Sequence, residues 1–192
     1  MPWATKITEY VNAHGTVPVT CWAGTFGYPI GTVAWSAMVE SQAQLVAGTT
    51  QLLADDGYLD LLEEAADLIT TPGEDTLREL IYGTPGDPPP IGSVAAITTA
   101  VAMVDRLADA IGWAVEIGQF VESTVDAPII VLTDVFGAMG GITWILAQPD
   151  FVASDGGRAK LVGNADYLKQ ISGSKDLFIP GSGHIGQATR IA

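Results

Sequence analysis

The chain carries one pattern twice. Trp3-Ala4, Ile7, Tyr10 and Val11 recur as Trp113-Ala114, Ile117, Phe120 and Val121 at constant spacing, and Phe26-Gly27 recurs as Phe136-Gly137. One residue then drops out. Gly31, Trp35, Tyr58, Leu59, Asp67 and Leu68 recur as Gly140, Trp144, Tyr167, Leu168, Asp176 and Leu177. A single slip over so long a stretch is hard to reach by chance. Residues 3–80 and 113–189 therefore read as one fold unit used twice. Each is of ordinary domain size, and two such units can bury their apolar faces against each other.

Periodicity supplies the elements of the second copy. Ile97, Thr99, Val101 and Met103 alternate with Thr98, Ala100 and Ala102, which is strand period. From Asp105 the period turns helical. Leu107, Ala110, Ile111, Ala114, Ile117, Gly118 and Val121 form one stripe, predicting a helix that ends near Ser123. One long helix over 93–122 is the alternative, but the Ile-Thr-Thr and Val composition is β-prone. Pro128 opens an apolar strand at 129–132, Gly137, Gly140 and Gly141 mark a turn, and 142–146 returns. A helix weakened near Gly156-Gly157 and Gly163 covers about 150–172, and 177–179 with 184–191 supplies the last strand. The order is β-α-β-β-α-β.

The first copy predicts a helix at 3–13, strands at 16–22 and 32–39, a helix at 42–69 with a possible break at Gly57, and a strand at 76–82. The opening strand and half of the first helix have no counterpart, since Met1 aligns with Ile111. Either the natural start lies upstream or this unit works with one strand fewer. The predicted divisions are a first repeat over 1–83, a proline-rich linker over 84–92 and a second repeat over 93–192. Pro85, Pro88, Pro89 and Pro90 favour an extended, semi-rigid connector.

A doubled β-α-β-β-α-β unit resembles the dimeric α+β barrel superfamily. That superfamily includes antibiotic-biosynthesis monooxygenases, EthD-like, NIPSNAP-like and stress-responsive barrel proteins, and the haem-containing chlorite dismutase group. The resemblance is topological and spans nearly the whole chain. It implies an α+β fold of two ferredoxin-like repeats, the first without its opening strand, whose antiparallel sheets face each other as a pseudo-dimeric barrel. No family-defining motif carries a catalytic residue onto a position of this chain, and the missing strand puts closure of the barrel in question.

The candidate catalytic residues are His184 and Asp134. His184 lies in a glycine-rich entry to the last strand, and histidine can act as a base near neutral pH. Asp134 sits in the second hairpin, and a carboxylate inside an apolar cavity would have a raised pKa and could serve as a base. The ordinary readings are a strand-end histidine and a turn carboxylate. Trp22, Trp35, Phe136 and Trp144 lie on the two hairpins with Phe26 and Tyr28. They are the candidate lining of a pocket for a flat apolar ligand, with Trp35 and Trp144 as equivalent residues that could face one cavity; core packing is the plainer account. Tyr58 and Tyr167 read as anchors of the second helix in each copy. His14 suits a helix end, and Cys21 reads as a small buried residue.

Several classes are excluded by composition. A net charge of −14, from 22 acidic and 8 basic residues, leaves no basic cluster for nucleic acid or an anionic membrane. No apolar run is long enough to span a bilayer, and no signal peptide is visible. Two histidines in separate halves and one cysteine are too few for a typical metal site. No metal or cofactor is expected, and the single cysteine fits a reducing cytoplasm. Hydrophobic residues at 48% suggest extensive burial, including a subunit interface. The expected function is a self-associating barrel that binds a small apolar or aromatic molecule. The alternatives are a cofactor-independent monooxygenase or isomerase, and an assembly component that uses an open sheet edge.

Overall fold

Helical and strand periods alternate along the chain as the elements of an α+β fold. The structure is a computed structural model and describes residues 2–192. The first half contains α1 (Pro2–His14), β1 (Thr20–Phe26), β2 (Val33–Ser36), α2 (Gln42–Leu53), α3 (Asp56–Ala65) and β3 (Leu77–Tyr82). The second contains β4 (Val94–Val101), a short 3-10 turn (Val104–Arg106), α4 (Leu107–Val125), β5 (Ile129–Phe136), β6 (Gly141–Gln148), α5 (Phe151–Val162), α6 (Ala165–Gly173) and β7 (His184–Arg190). Residues 93–122 are thus strand then helix, not one long helix.

All seven strands join one sheet in the order β2-β1-β7-β4-β6-β5-β3. Every neighbouring pair is antiparallel. The two halves are therefore hydrogen-bonded into one sheet, β1 pairing with β7 and β3 with β5. An odd number of alternating strands leaves the two edges, β2 and β3, running in the same direction.

The single helix expected over 42–69 is two helices, as is that over 150–172. The cause is local capping. Asp55 is extended and its carboxylate accepts from Tyr58 N, which ends α2 and starts α3. Asn164 does the same with Asp166 N and Tyr167 N, between α5 and α6. An Asp or Asn that satisfies the free N–H groups of a new helix start outcompetes continuation of the old one. The first break sits at Asp55, two residues before Gly57, and the second falls at Gly163, the C-cap of α5, as expected, while α5 runs unbroken through Gly156-Gly157.

The core is unequal between the halves. In the second, the α4 stripe of Ala110, Ala114, Ile117 and Val121 packs on Val131, Ile142, Trp144 and Leu146 of the sheet. In the first, the buried cluster is Ile7, Val11 and Leu61, with Trp3, Tyr10, Val19, Leu52 and Tyr58 partly buried around it. Gly48 is the buried residue of α2, and Leu45, Val46 and Leu53 stay exposed. Most apolar burial, and so most hydrophobic stabilisation, lies in the second half.

One polar cluster fastens α1 to α3. Tyr10 Oη donates to Asp55 Oδ1 at 2.6 Å, and the His14 ring stacks on Tyr10 at 4.1 Å between centroids. The phenol hydrogen bond and the Tyr58 N–H hold the Asp55 carboxyl below its ordinary range. A carboxyl depressed in the folded state stabilises the fold above its unfolded pKa, and that stability is lost as pH falls through the folded value. Tyr10→Phe is therefore expected to lower the urea midpoint at neutral pH. The gap from the wild type should close as pH drops below the ordinary carboxylate range; chemical denaturation at several pH values measures it.

Candidate functional site

The helix-covered face of the sheet is set by strand alternation. Trp144, Leu146 and Gln148 of β6 lie on that face. In register beside them are Ala96 and Thr98 of β4, Ile185 and Gln187 of β7, and Ile129 of β5. Between this face and α4, α5 and α6 lies a cavity of about 620 Å³ that opens to solvent on one side. That volume suits a small organic ligand.

Its walls are mainly apolar. Trp113, Ile117 and Val121 come from α4, Leu161 and Val162 from α5, Tyr167 and Ile171 from α6, and Phe26 from the end of β1. Trp113, Trp144 and Phe178 form an edge-to-face cluster with ring centroids 5.5–6.1 Å apart. The Trp144 indole N–H donates to Ala114 O at 3.0 Å, which fixes the ring against α4. Aromatic rings held at such angles present fixed faces and edges to a flat guest.

The polar groups fall into two sets. The first is engaged with protein: Gln148 Nε2 donates to Ala153 O at 2.9 Å, and Gln187 Nε2 to Ser154 Oγ at 2.7 Å. These bonds tie the start of α5 to β6 and β7. The second set lines the cavity without a side-chain partner among the described residues: the Thr98 and Tyr167 hydroxyls, the Asp155 carboxylate and the Arg158 guanidinium. Burial pushes the Tyr167 phenol up from its ordinary value, so at neutral pH it is a hydrogen-bond donor.

The residues singled out from sequence lie in several places. Trp144 lines the cavity. Trp35 faces the helices too, but over α1. Its indole N–H donates to Thr8 Oγ1 at 2.8 Å, its ring meets Trp3 edge-on, and it is 41% exposed. Trp35 and Trp144 therefore do not share a cavity. Trp22 lies one register position over, on the opposite face, and its N–H donates to Ser36 Oγ at 2.9 Å. Phe136 is exposed at the end of β5.

His184 and Asp134 are absent from the cavity wall. His184 Nε2 lies 2.6 Å from Gly27 O, and its ring lies 5.2 Å from that of Tyr28. The contact pins the β1–β2 turn onto β7. Gly27 has φ +78°, and a Cβ there would clash with Ile185 O, so the turn needs glycine. Asp134 pairs with Arg78 of β3 at 2.9 Å and accepts from Ala138 N at 3.1 Å. It clamps the β5–β6 hairpin and the β3 edge together. Sequence reasoning missed Trp113, Asp155 and Arg158. They sit on helices, where the stripe signals burial but not which gap it borders.

Among the described residues, no group of three or more His, Cys, Asp or Glu side chains could hold a metal ion, and no helix is long and apolar enough to cross a membrane. No protein-family model matches the chain, and no curated protein matches its sequence. Solved structures do share its fold. A "putative monooxygenase" from Fusobacterium nucleatum subsp. nucleatum is 8% identical, with a TM-score of 0.68 over 100% of this chain and 84% of its own. An anthrone oxidase-like protein is 14% identical, with a TM-score of 0.66 over 98% and 83%. A "putative monooxygenase" from Lactobacillus acidophilus is 13% identical, with a TM-score of 0.62 over 98% and 84%.

Two variants check these assignments. Asp134→Ala leaves Arg78 and the hairpin N–H unpaired, and should destabilise the fold by about 2 kcal/mol. His184→Gln keeps a donor toward Gly27 O and should stay within about 0.5 kcal/mol of wild type. Denaturant midpoints read the stability. Neither variant that remains folded should change binding of an aromatic probe in the cavity.

Proposed function

We propose that the chain binds a flat aromatic molecule in the cavity between the sheet and α4, α5 and α6. The observation that carries this reading is the mainly apolar cavity walled by Trp113 and Trp144. Polar groups without protein partners on its wall provide the few directional contacts that orient a ligand in an otherwise apolar site. The test is calorimetric titration with naphthalene-based probes. Ala96→Leu adds side-chain volume to the cavity wall and should weaken binding at least tenfold while leaving circular dichroism unchanged. Trp144→Ala is the poorer probe, because truncating so buried a ring costs about 3–5 kcal/mol of stability. Absence of binding by wild-type protein, or unchanged binding in Ala96→Leu, rules the reading out.

The fold shared with two "putative monooxygenase" structures and an anthrone oxidase-like protein favours a reaction in this cavity. In that reading the substrate supplies its own electrons and no cofactor takes part. An acidic methylene group of the substrate loses a proton to a base, and the carbanion reduces dioxygen. Both methylene hydrogens leave the carbon. One oxygen atom ends as the carbonyl oxygen of a ketone, and the other leaves with the two hydrogens as water. Asp155, at the mouth of the cavity, is the carboxylate able to accept the proton. An oxygen electrode with anthrone as substrate measures it. One dioxygen consumed per ketone formed, at a rate suppressed in Ala96→Leu, is expected. A rate no higher than buffer would remove the reaction and leave ligand binding standing.

The architecture fits two unequal ferredoxin-like units over 1–83 and 93–192, joined by 84–92. The strand order β7-β4-β6-β5 with β-α-β-β-α-β connectivity supports the second unit. The first unit is the same series without its opening strand, and the free edges β2 and β3 are where that strand would pair. Self-association through these edges is the accompanying proposal; a strictly monomeric mass by light scattering at micromolar concentration would contradict it.

A further inference from the structure

The cavity has a chemical polarity that its apolar walls do not explain. The chain holds 22 acidic and 8 basic residues, so its few cations should be taken up by surrounding acids. Three of the four arginines follow that expectation or bond to backbone. Arg78 pairs with Asp134, Arg106 with Asp109, and Arg190 donates to the Ala192 and Pro89 carbonyls. Arg158 has no acceptor among the described residues, although Asp155 lies one turn earlier on the same helix and at the same cavity. A guanidinium presents five N–H donors in a fixed plane and cannot lose its charge, which makes it the side chain best matched to a planar oxyanion.

The second observation is independent of charge. The hydroxyls of Thr98 on β4 and Tyr167 on α6 line the same cavity and donate to nothing in the protein. Three donors on three elements therefore border one apolar volume without an acceptor of their own. Arg158 and Asp155 are on exposed positions of α5, so the charged groups belong to the mouth, and the aromatic wall of Trp113 and Trp144 lies within.

We propose that the ligand is a planar aromatic acid, a carboxylate or an ionised phenol or enol, whose anionic oxygen is held by Arg158 at the mouth while its rings enter the aromatic cavity. Asp155 opposes that charge and lowers the affinity. The proposal rests on the cavity being the ligand site and adds the sign of the ligand's charge. It runs against the net charge of the protein, which by itself would repel anions, so a preference for anions reports the local guanidinium.

The test compares two probes of equal ring size, 2-naphthoate and neutral 2-naphthalenemethanol, by calorimetry with the whole chain at low and moderate salt. Naphthoate should bind about fivefold more tightly, the size expected of one exposed charge-assisted contact. Arg158→Gln should remove that preference with little effect on the neutral probe, and Asp155→Asn should enlarge it. Both positions are exposed, so both variants should fold, and circular dichroism checks this. Equal binding of the two probes by wild type, or a preference that survives Arg158→Gln, overturns the proposal but leaves the cavity as the ligand site. Binding of neither probe overturns both.

Discussion

The structure depends on how closely α4 and α5 can approach the sheet. At Gly118 an added Cβ would lie 2.9 Å from Val131 Cγ2, and at Gly157 it would lie 2.6 Å from Gln148 Nε2 and 2.9 Å from Val125 Cγ1. Ala110 and Ala114 continue the same small-residue seam along α4 and are fully buried. Contact this close removes water and gains dispersion at many atoms. It also fixes the helix layer at one side while the large rings of Trp113, Trp144 and Tyr167 stand beyond the seam. Close-packed cores leave few voids. One persists here, where Trp144 is held by its bond to Ala114 and by edge contacts with Trp113 and Phe178, and Tyr167 stacks on Phe120.

The same seam accounts for the difference between the halves. α1 lies on the sheet with Ala4, Ile7, Thr8 and Val11, but α2 and α3 bury little. The polar contacts of the first half are local ties: Trp35 to Thr8, Tyr10 to Asp55, Trp3 Nε1 to Leu61 O. The first half thus extends the sheet and fastens its own helices, while the second half forms the cavity. Phe26 crosses that division, standing at the end of β1 opposite Gln187 and lining the cavity from the first half.

Much of the architecture was legible in the residues. Alternation in 97–103 and the stripe from Leu107 to Val121 were clear because burial on one face forces a period, and β4 and α4 lie there. The glycine turn before β6 was legible because Gly137 and Gly140 both have positive φ. The break at Gly163 was legible as a glycine, but the position of the first was not, because Asp55 acts through a side-chain cap and a polar residue inside a polar stretch carries no period. The cavity was less legible still. Trp144 was found through its position on the hairpin, but Arg158, Asp155 and Trp113 join it only through tertiary packing. His184 and Asp134 stood out by residue type, yet the one holds a turn and the other a hairpin. A chemically distinctive side chain is as often spent on fixing backbone as on meeting a ligand.

The proposed site places a planar aromatic ligand between the sheet and the helix layer of the second half. A crystal structure of the chain with 2-naphthoate tests it most directly. The rings are expected beside Trp113 and Trp144 with the carboxylate toward Arg158. Density for the ligand on the opposite face of the sheet, near His184 and Tyr28, or against the exposed helices of the first half, would contradict it.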